Sequence, residues 1–120
     1  MDDRDLASLY DMLTNARIVV MLARGVTRET LETDPKTRLS IERGVEIIGE
    51  AARRISKEYR SSHPEVPWKK IISTRHVLAH DYDDINYITL HRIMVLYIPE
   101  LIELLTPLVP QVPSDPQPEP

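Results

Sequence analysis

Residues 41–56 read IERGVEIIGEAARRIS, and this stretch decides the class of fold. Its apolar residues recur at spacings of three and four, which is the period of one face of an α-helix. The helix should begin at Asp34-Pro35, where a capping residue precedes a proline suited to the first turn. Its small residues would let a second helix approach closely. The apolar stripe is Ile41, Val45, Ile48, Ala52 and Ile55, and the small residues are Gly44, Gly49, Ala51 and Ala52.

Three further segments show helical periodicity, and none shows the alternation of a strand. The first predicted helix spans residues 3–24, with Gly25 as a natural stop. Another begins near Trp68, after a loop at 61–67 that contains two prolines. The last spans residues 87–105. The sequence therefore predicts an all-α protein built from four helices.

The last predicted helix is apolar over an unusually wide arc. A helix packed on one core needs an arc of about 100° or more. Either part of this helix faces a second copy of the chain, through residues such as Ile98 or Ile102, or the helix lies centrally in its own bundle. Pro99 removes one backbone hydrogen bond, so a kink is expected there. One stripe is Leu90, Ile93, Tyr97, Leu101 and Leu104, and the other is Ile88, Val95, Ile98, Ile102 and Leu105.

Length and composition bound the domain. The chain has 120 residues, 42% of them apolar, which is enough for one domain with one core. We expect this domain to span residues 1–105. Residues 106–120 contain six of the ten prolines and are predicted to form a disordered tail, with a docking strand as the alternative.

Several classes of chemistry and location are excluded or disfavoured. The chain has no cysteine, which excludes disulfides, thiolate catalysis and cysteine zinc sites. The stretch MDDRDLASLY is acidic and lacks the apolar run of a signal peptide. No apolar run approaches the roughly 20 residues of a membrane span. These features predict a cytoplasmic protein without a membrane partner.

A net charge of −4 argues mildly against a nucleic-acid partner, but the charge is unevenly distributed. Residues 53–75 carry seven cationic side chains and two glutamates, a local excess of five positive charges. Such an excess can attract phosphates even on an acidic protein, although a solvated helix face would look the same. The candidates for RNA binding are Arg53, Arg54, Lys57, Lys69 and Lys70, and Arg60 and Arg75 complete the cationic set.

The stretch TRHVLAHDYDD, residues 74–84, gathers titratable and phosphate-binding groups. His76 and His80 are four positions apart and would share a helix face. Arg75 and His80 are five apart, about 140° around an ideal helix. They would meet only if the helix ends near His80, or if two chains bring their motifs together.

Three interpretations of this stretch are open from spacing alone. The histidines could bind a metal, with Asp81, Asp83, Asp84 or His91 folding back as further ligands. Alternatively, Arg75 could hold a phosphodiester while His80 moves a proton at an RNA 2′-hydroxyl or a leaving oxygen. In the third interpretation the groups are structural, with Arg75 paired to a carboxylate such as Glu50.

Arg75-x4-His80-x-Tyr82 resembles the R-x4-H-x-Y motif of the HepT-like toxins, a branch of the HEPN superfamily. The similarity extends to IERGVEIIGEAARRIS at 41–56, HPEVPWKKII at 63–72 and PELIELL at 99–105. It covers residues 3–105. An R-x4-H spacing alone occurs by chance in many chains, whereas the motif with these flanking segments is more specific.

The resemblance implies a HEPN-type bundle of four to five helices, forming a homodimer with the motifs lining a cleft between chains. It implies RNA cleavage without a metal or cofactor, with Arg75 and His80 as the catalytic pair. The implied partner is an MntA-type nucleotidyltransferase antitoxin that adds AMP to Tyr82, in a type VII-like toxin–antitoxin system. Such a modification would add bulk and a phosphate two residues from His80, where a substrate phosphate must approach.

The chain departs from the family pattern at one position. His76 follows the arginine where many relatives carry a polar amide, and it leaves a second candidate base beside His80. His76 and Glu50 are therefore supporting candidates. The alternative function, from another class, is a non-catalytic HEPN module that binds a nucleotide or scaffolds a nucleotidyltransferase.

Overall fold

The computed structural model describes residues 2–80 and 87–110, apart from the side chains of residues 75–80. Over those residues every regular element is helical, which confirms the predicted all-α class. A π-helical turn, Ile93–Tyr97, joins the last two helices, and a 3₁₀ turn, Thr106–Leu108, follows them. The helices are α1 (Asp3–Leu22), α2 (Arg28–Thr33), α3 (Pro35–Arg54), α4 (Lys57–Ser62), α5 (Trp68–His80), α6 (Tyr87–Arg92) and α7 (Ile98–Leu105).

Helix α3 is the centre of the bundle and packs against both α1 and α5. All five residues of its predicted apolar stripe are buried. Asp34 caps its start as predicted, since the carboxylate accepts hydrogen bonds from the Thr37 hydroxyl at 2.7 Å and the Thr37 backbone N–H at 3.3 Å. Both hydrogen bonds lower the pKa of Asp34, and the bond from the Thr37 hydroxyl has the larger effect.

The crossing of α1 and α3 depends on a glycine. A Cβ built on Gly44 would lie 2.6 Å from Cγ2 of Val19, a side chain that is fully buried. Real Cβ atoms do not approach so closely, so the two helices can cross here only because residue 44 has no side chain. The predicted close approach along α3 is thus confirmed at this position.

Helix α1 begins at Asp3 as predicted and ends at Leu22, two residues before the predicted end. Asp2 caps its first turn by accepting a hydrogen bond from the Arg4 backbone N–H at 2.9 Å. Gly25 follows the last turn with a φ of 72°, the left-handed conformation that glycine adopts without strain.

Two short helices were not predicted. α2 and α4 have six residues each, too few for an apolar period to show. Each has a capping hydroxyl that marks its start, from Thr27 and Ser56 respectively. Because α4 spans residues 57–62, the loop predicted to begin at residue 61 begins at residue 63.

A buried carboxylate ties α1 to the α3–α4 junction. Asp5 is 4% exposed, and its two oxygens accept hydrogen bonds from the Ser56 backbone N–H at 2.8 Å and the Ser56 hydroxyl at 2.7 Å. Ser56 is itself the capping residue of α4. The start of α4 is therefore held by α1 across 51 residues of chain.

The final helix departs from α geometry next to its proline. In the π-helical turn the Ile98 backbone N–H donates to the Ile93 carbonyl, five residues back. Pro99 occupies the first turn of α7, where its missing N–H costs least. A π turn thus lies immediately before the proline, and the kink expected at Pro99 stays a prediction.

The wide apolar arc of the final helix is partly explained by burial within the protomer. Ile98 is 4% exposed and Leu105 is fully buried, so the expectation that Ile98 faces a second chain is wrong. Ile102 is half-buried against the same core. The exposed apolar residues of this segment are Ile88, Val95, Leu96 and Tyr97.

The packed region continues beyond the predicted boundary at residue 105. Leu108 packs against the core, and Val109 is 9% exposed. The remainder of the predicted tail, residues 111–120, lies outside the described residues.

No helix in the described part of the chain has both the length and the apolar character needed to cross a membrane.

Candidate active site and basic groove

Helix α5 carries two of the three motif positions, Arg75 and His80, together with the neighbouring His76. Positions 75, 76 and 80 all fall within its single α-helical run, Trp68–His80. Arg75 and His80 are thus about 140° apart around one helix axis. Their side chains, that of His76 and the whole of Tyr82 lie outside the described residues, so the proposed catalytic and acceptor roles stay predictions.

Packing against α3 and the final helix fixes the position of α5. Val45 and Ile48 of α3 and Ile71 and Thr74 of α5 line a largely apolar cavity of about 210 Å³. Side chains of the π turn and α7 close its other side. The face of α5 that meets this cavity is therefore committed to the bundle just before the motif begins.

Glu50, a supporting candidate, is half-buried on α3. Its carboxylate lies 3.6 Å from the guanidinium of Arg43, which also lies 3.3 Å from Glu46. The structural interpretation of the motif paired Glu50 with Arg75. That pairing involves a side chain outside the described part, so it is neither supported nor contradicted.

Two of the five RNA-binding candidates come together. Lys57 of α4 and Lys69 of α5 line an open surface groove of about 700 Å³, together with Arg60. We call this surface the basic groove. Its other lining residues are Ser61, Trp68, Ile72 and Ser73.

The other three candidates lie elsewhere. Arg54 reaches back to Asp11 of α1, at 3.3 Å, so a carboxylate offsets its charge. The Lys70 ammonium lies 3.8 Å from the centre of the Tyr97 ring and borders the cavity behind α5. Arg53 is exposed in the last turn of α3. The basic stretch of the sequence is therefore divided among different surfaces.

A cluster of aromatic rings, those of Tyr59, His63 and Trp68, packs beside the basic groove, and Trp68 forms part of its lining. The Trp68 indole N–H donates to the His63 carbonyl at 2.9 Å, and the Tyr59 ring packs edge-on against Trp68 at 6.2 Å. Burial raises the pKa of the Tyr59 hydroxyl. His63 lies 3.1 Å from Glu65, whose pKa is lowered by its own backbone N–H and then by His63.

Sequence reasoning counted Arg60 in the charge run but did not select it as a binding residue. The signal that could have identified Arg60 is the short helix α4, which places it on the same face as Lys57. Ser56 is a capping residue, and positions 57, 60 and 61 have the spacing of one helix face.

No group of three or more His, Asp or Glu side chains able to hold a metal ion occurs among the described residues. The metal interpretation drew its ligands from His76 and His80 with Asp81, Asp83, Asp84 or His91, and of these side chains only that of His91 belongs to the described part. It therefore stays an untested alternative.

Comparison with known proteins gives a consistent family. The family model described as "Ribonuclease HepT-like" matches residues 12–108. A protein of Methanocaldococcus jannaschii named as a "Putative RNase" is 35% identical over 102 residues, covering 84% of this chain and 94% of its own length. A protein of Thermococcus cleftensis named "Probable ribonuclease HepT" is 30% identical over 93 residues, covering 78% of this chain and 84% of its own. No solved structure matches the chain with significant similarity.

The all-α fold of the described residues is consistent with a bundle of the HEPN superfamily. Within that superfamily, the chain belongs to the ribonuclease HepT-like family. The resemblance noted from the sequence is thereby confirmed at the level of the family.

Proposed function

We propose that this protein is a metal-independent endoribonuclease that acts as the toxin of a type VII-like toxin–antitoxin pair. The observation that carries the proposal is membership of the ribonuclease HepT-like family by a chain whose α5 retains Arg75 and His80 at the motif spacing. Relatives named as RNases support the reaction class.

The proposed chemistry needs only side chains. His80 takes the proton of an RNA 2′-hydroxyl, and the 2′-oxygen bonds to the adjacent phosphorus as the bond to the 5′-oxygen breaks. Arg75 holds the non-bridging phosphate oxygens and offsets the charge that develops on them. The products are a 2′,3′-cyclic phosphate and a 5′-hydroxyl that receives a proton.

The proposed site is composite, with two chains forming a homodimer around one cleft. On a continuous helix, positions 75 and 80 are about 140° apart around the axis, which is poor geometry for holding one phosphate. A second copy of α5 facing the first would let the arginine of one chain act with the histidine of its partner.

Regulation is proposed to act at Tyr82. An MntA-type nucleotidyltransferase antitoxin would transfer AMP from ATP to the Tyr82 hydroxyl and release pyrophosphate. The added phosphate carries negative charge two residues from His80, so it would repel the substrate phosphate as well as block it.

Cleavage by the purified protein, made without an antitoxin, tests the catalytic part. His80→Ala should lower the rate of RNA cleavage by about 10²- to 10⁴-fold, Arg75→Ala by a comparable amount, and the double variant little further. His91→Ala, a half-buried histidine outside the motif, should retain activity. Full activity in His80→Ala would point to His76 as the base, and absence of cleavage by the unmodified protein would favour the non-catalytic module. Loss of cleavage on chelation would restore the metal interpretation.

A second arm tests the acceptor. Tyr82→Phe keeps the ring and removes only the hydroxyl, so cleavage should persist while AMP transfer by a co-expressed nucleotidyltransferase fails. Intact-mass measurement would show no added AMP on Tyr82→Phe and the normal addition on the matched control Tyr87→Phe. Addition to Tyr82→Phe, with loss of its activity, would move the acceptor to another hydroxyl.

A further inference from the structure

We propose that the basic groove between α4 and α5 is a subsite for the sugar–phosphate backbone of a single RNA strand, and that it guides the strand along α5 toward His80. This rests on the proposed function for the identity of the strand. The site itself rests on the convergence of Lys57, Arg60 and Lys69 on one surface.

The three cations of the groove are available to a ligand. Among the described residues, none of them forms an ion pair, a side-chain hydrogen bond or a cation–π contact. Arg54 and Lys70, by contrast, are engaged with Asp11 and Tyr97. Uncompensated cations on one surface attract phosphate, whereas paired ones contribute little.

Arg60 is the most constrained of the three. It is half-buried, and its Nε is enclosed with no hydrogen-bond partner within the described part of the chain. Packing thus orders the side chain before any ligand binds, while no internal carboxylate competes for the guanidinium. A pre-ordered arginine loses less freedom on binding a phosphate than an exposed one does.

The groove is in register with the motif. Positions 69, 73, 76 and 80 of α5 are separated by four, three and four residues, so they follow one face of the helix. Lys69 and Ser73 line the groove at one end of this row, and positions 76 and 80 continue it. The row is about 16 Å long at the α-helical rise, enough to follow several nucleotides of one strand.

The groove can hold phosphates but has no means of reading bases. Its aromatic residue, Trp68, is 7% exposed, and its indole N–H is already bonded to His63. Stacking of bases requires an accessible aromatic face. Contacts would therefore come from the three cations and from the hydroxyls of Ser61 and Ser73, which makes binding independent of base sequence.

Binding of oligo(U) and oligo(A) strands across a salt series tests the inference, with His80→Ala present in every protein so that the RNA stays intact. Lys57→Gln/Arg60→Gln/Lys69→Gln should lower the slope of log affinity against log salt by about 2, since each lost phosphate contact removes about 0.7. At about 0.1 M salt this corresponds to roughly 10²-fold weaker binding of both strands. The matched control, Arg17→Gln/Arg28→Gln/Lys36→Gln, removes the same charge from other helices and should retain the slope.

Two further variants guard against a folding artefact. Arg60→Lys keeps the charge and should retain most of the binding, whereas Arg60→Gln should lower the slope by about 0.7. A DNA strand of the same length should show the same dependence on the groove, because the contacts are to phosphate. An unchanged slope in the groove variant, an equal loss in the control, or a loss confined to one base sequence would overturn the proposal.

The proposal for the groove and the proposal for catalysis can be refuted independently of each other. If the protein with Arg75 and His80 intact cleaves RNA and the groove variant binds normally, the groove is not the subsite and the function stands. If the intact protein binds strands through the groove without cleaving them, the catalytic proposal fails and the groove remains a nucleic-acid site.

Discussion

Gly44 shows how one residue limits the packing of the bundle. The 2.6 Å approach that a Cβ would make to Val19 falls between two buried helices, where neither backbone can retreat without disturbing the core. A side chain at position 44 therefore requires the Val19 side chain or the crossing of the two helices to shift.

Gly44→Ala should accordingly destabilise the protein by about 1–3 kcal/mol, the usual cost of overpacking a core. The cost should fall in the Val19→Ala background, because the clashing methyl group is then absent. Urea denaturation of the four proteins in this cycle measures the coupling. Equal costs of Gly44→Ala in both backgrounds would show that the contact with Val19 is not the cause.

The hydrogen bonds between α1 and α4 illustrate stability at the scale of elements. Asp5 satisfies both the backbone N–H and the hydroxyl of Ser56, and so fixes where α4 begins. Since α4 supplies Lys57 and Arg60, this buried carboxylate also positions one wall of the basic groove.

Asp5→Ala should lower the free energy of unfolding by about 1–3 kcal/mol, because it leaves a half-buried N–H and hydroxyl without partners. Asp3→Ala, an exposed carboxylate in the same turn, is the matched control and should cost less. Thermal or urea unfolding provides the measurement. Equal losses in the two variants would assign the effect to helix charge and not to the bonds with Ser56.

Sequence could predict the long helices and not the short ones, for a physical reason. α1 and α3 repeat their apolar pattern over many turns, and their stops and caps at Gly25 and Asp34 act locally. α4 has fewer than two turns and is fixed by Asp5, 51 residues away. The π turn depends on how Ile93 and Ile98 pack in the core, which no local pattern encodes.

The candidate site was predictable to a similar extent. The motif positions and the local excess of charge can be counted along the chain. The division of that charge among different surfaces cannot be predicted from the sequence. Arg54 is paired with Asp11, 43 residues earlier, and Lys70 forms a cation–π contact with Tyr97 of the final helix. Both pairings follow from tertiary packing alone.

At the scale of the whole molecule, the described surface has exposed apolar residues within the π turn. Val95, Leu96 and Tyr97 are consecutive and exposed, and Ile88 precedes them by two turns. Single exposed apolar residues are common, but a run of three on one helix marks a surface suited to a partner. A second copy of the chain, as in the proposed homodimer, would account for it.

Leu96→Glu should therefore weaken the homodimer by at least 10-fold, because a charge replaces a side chain worth about 1.5–3 kcal/mol when buried. Light scattering at micromolar concentration measures the mass. Leu39→Glu is the matched control, since Leu39 is 58% exposed and Leu96 is 57% exposed. A monomeric unmodified protein, or dissociation caused equally by both variants, would contradict the proposed contact.

Trp68 gives this molecule an optical reporter at a useful place. It is the single tryptophan of the chain, and it lies enclosed under the basic groove with its N–H bonded to the His63 carbonyl. Its fluorescence should shift to longer wavelength when unfolding admits water around the indole. A strand that enters the groove should instead change the intensity with little change in wavelength. Folding and ligand occupancy can thus be followed separately in one cuvette, without attaching a dye.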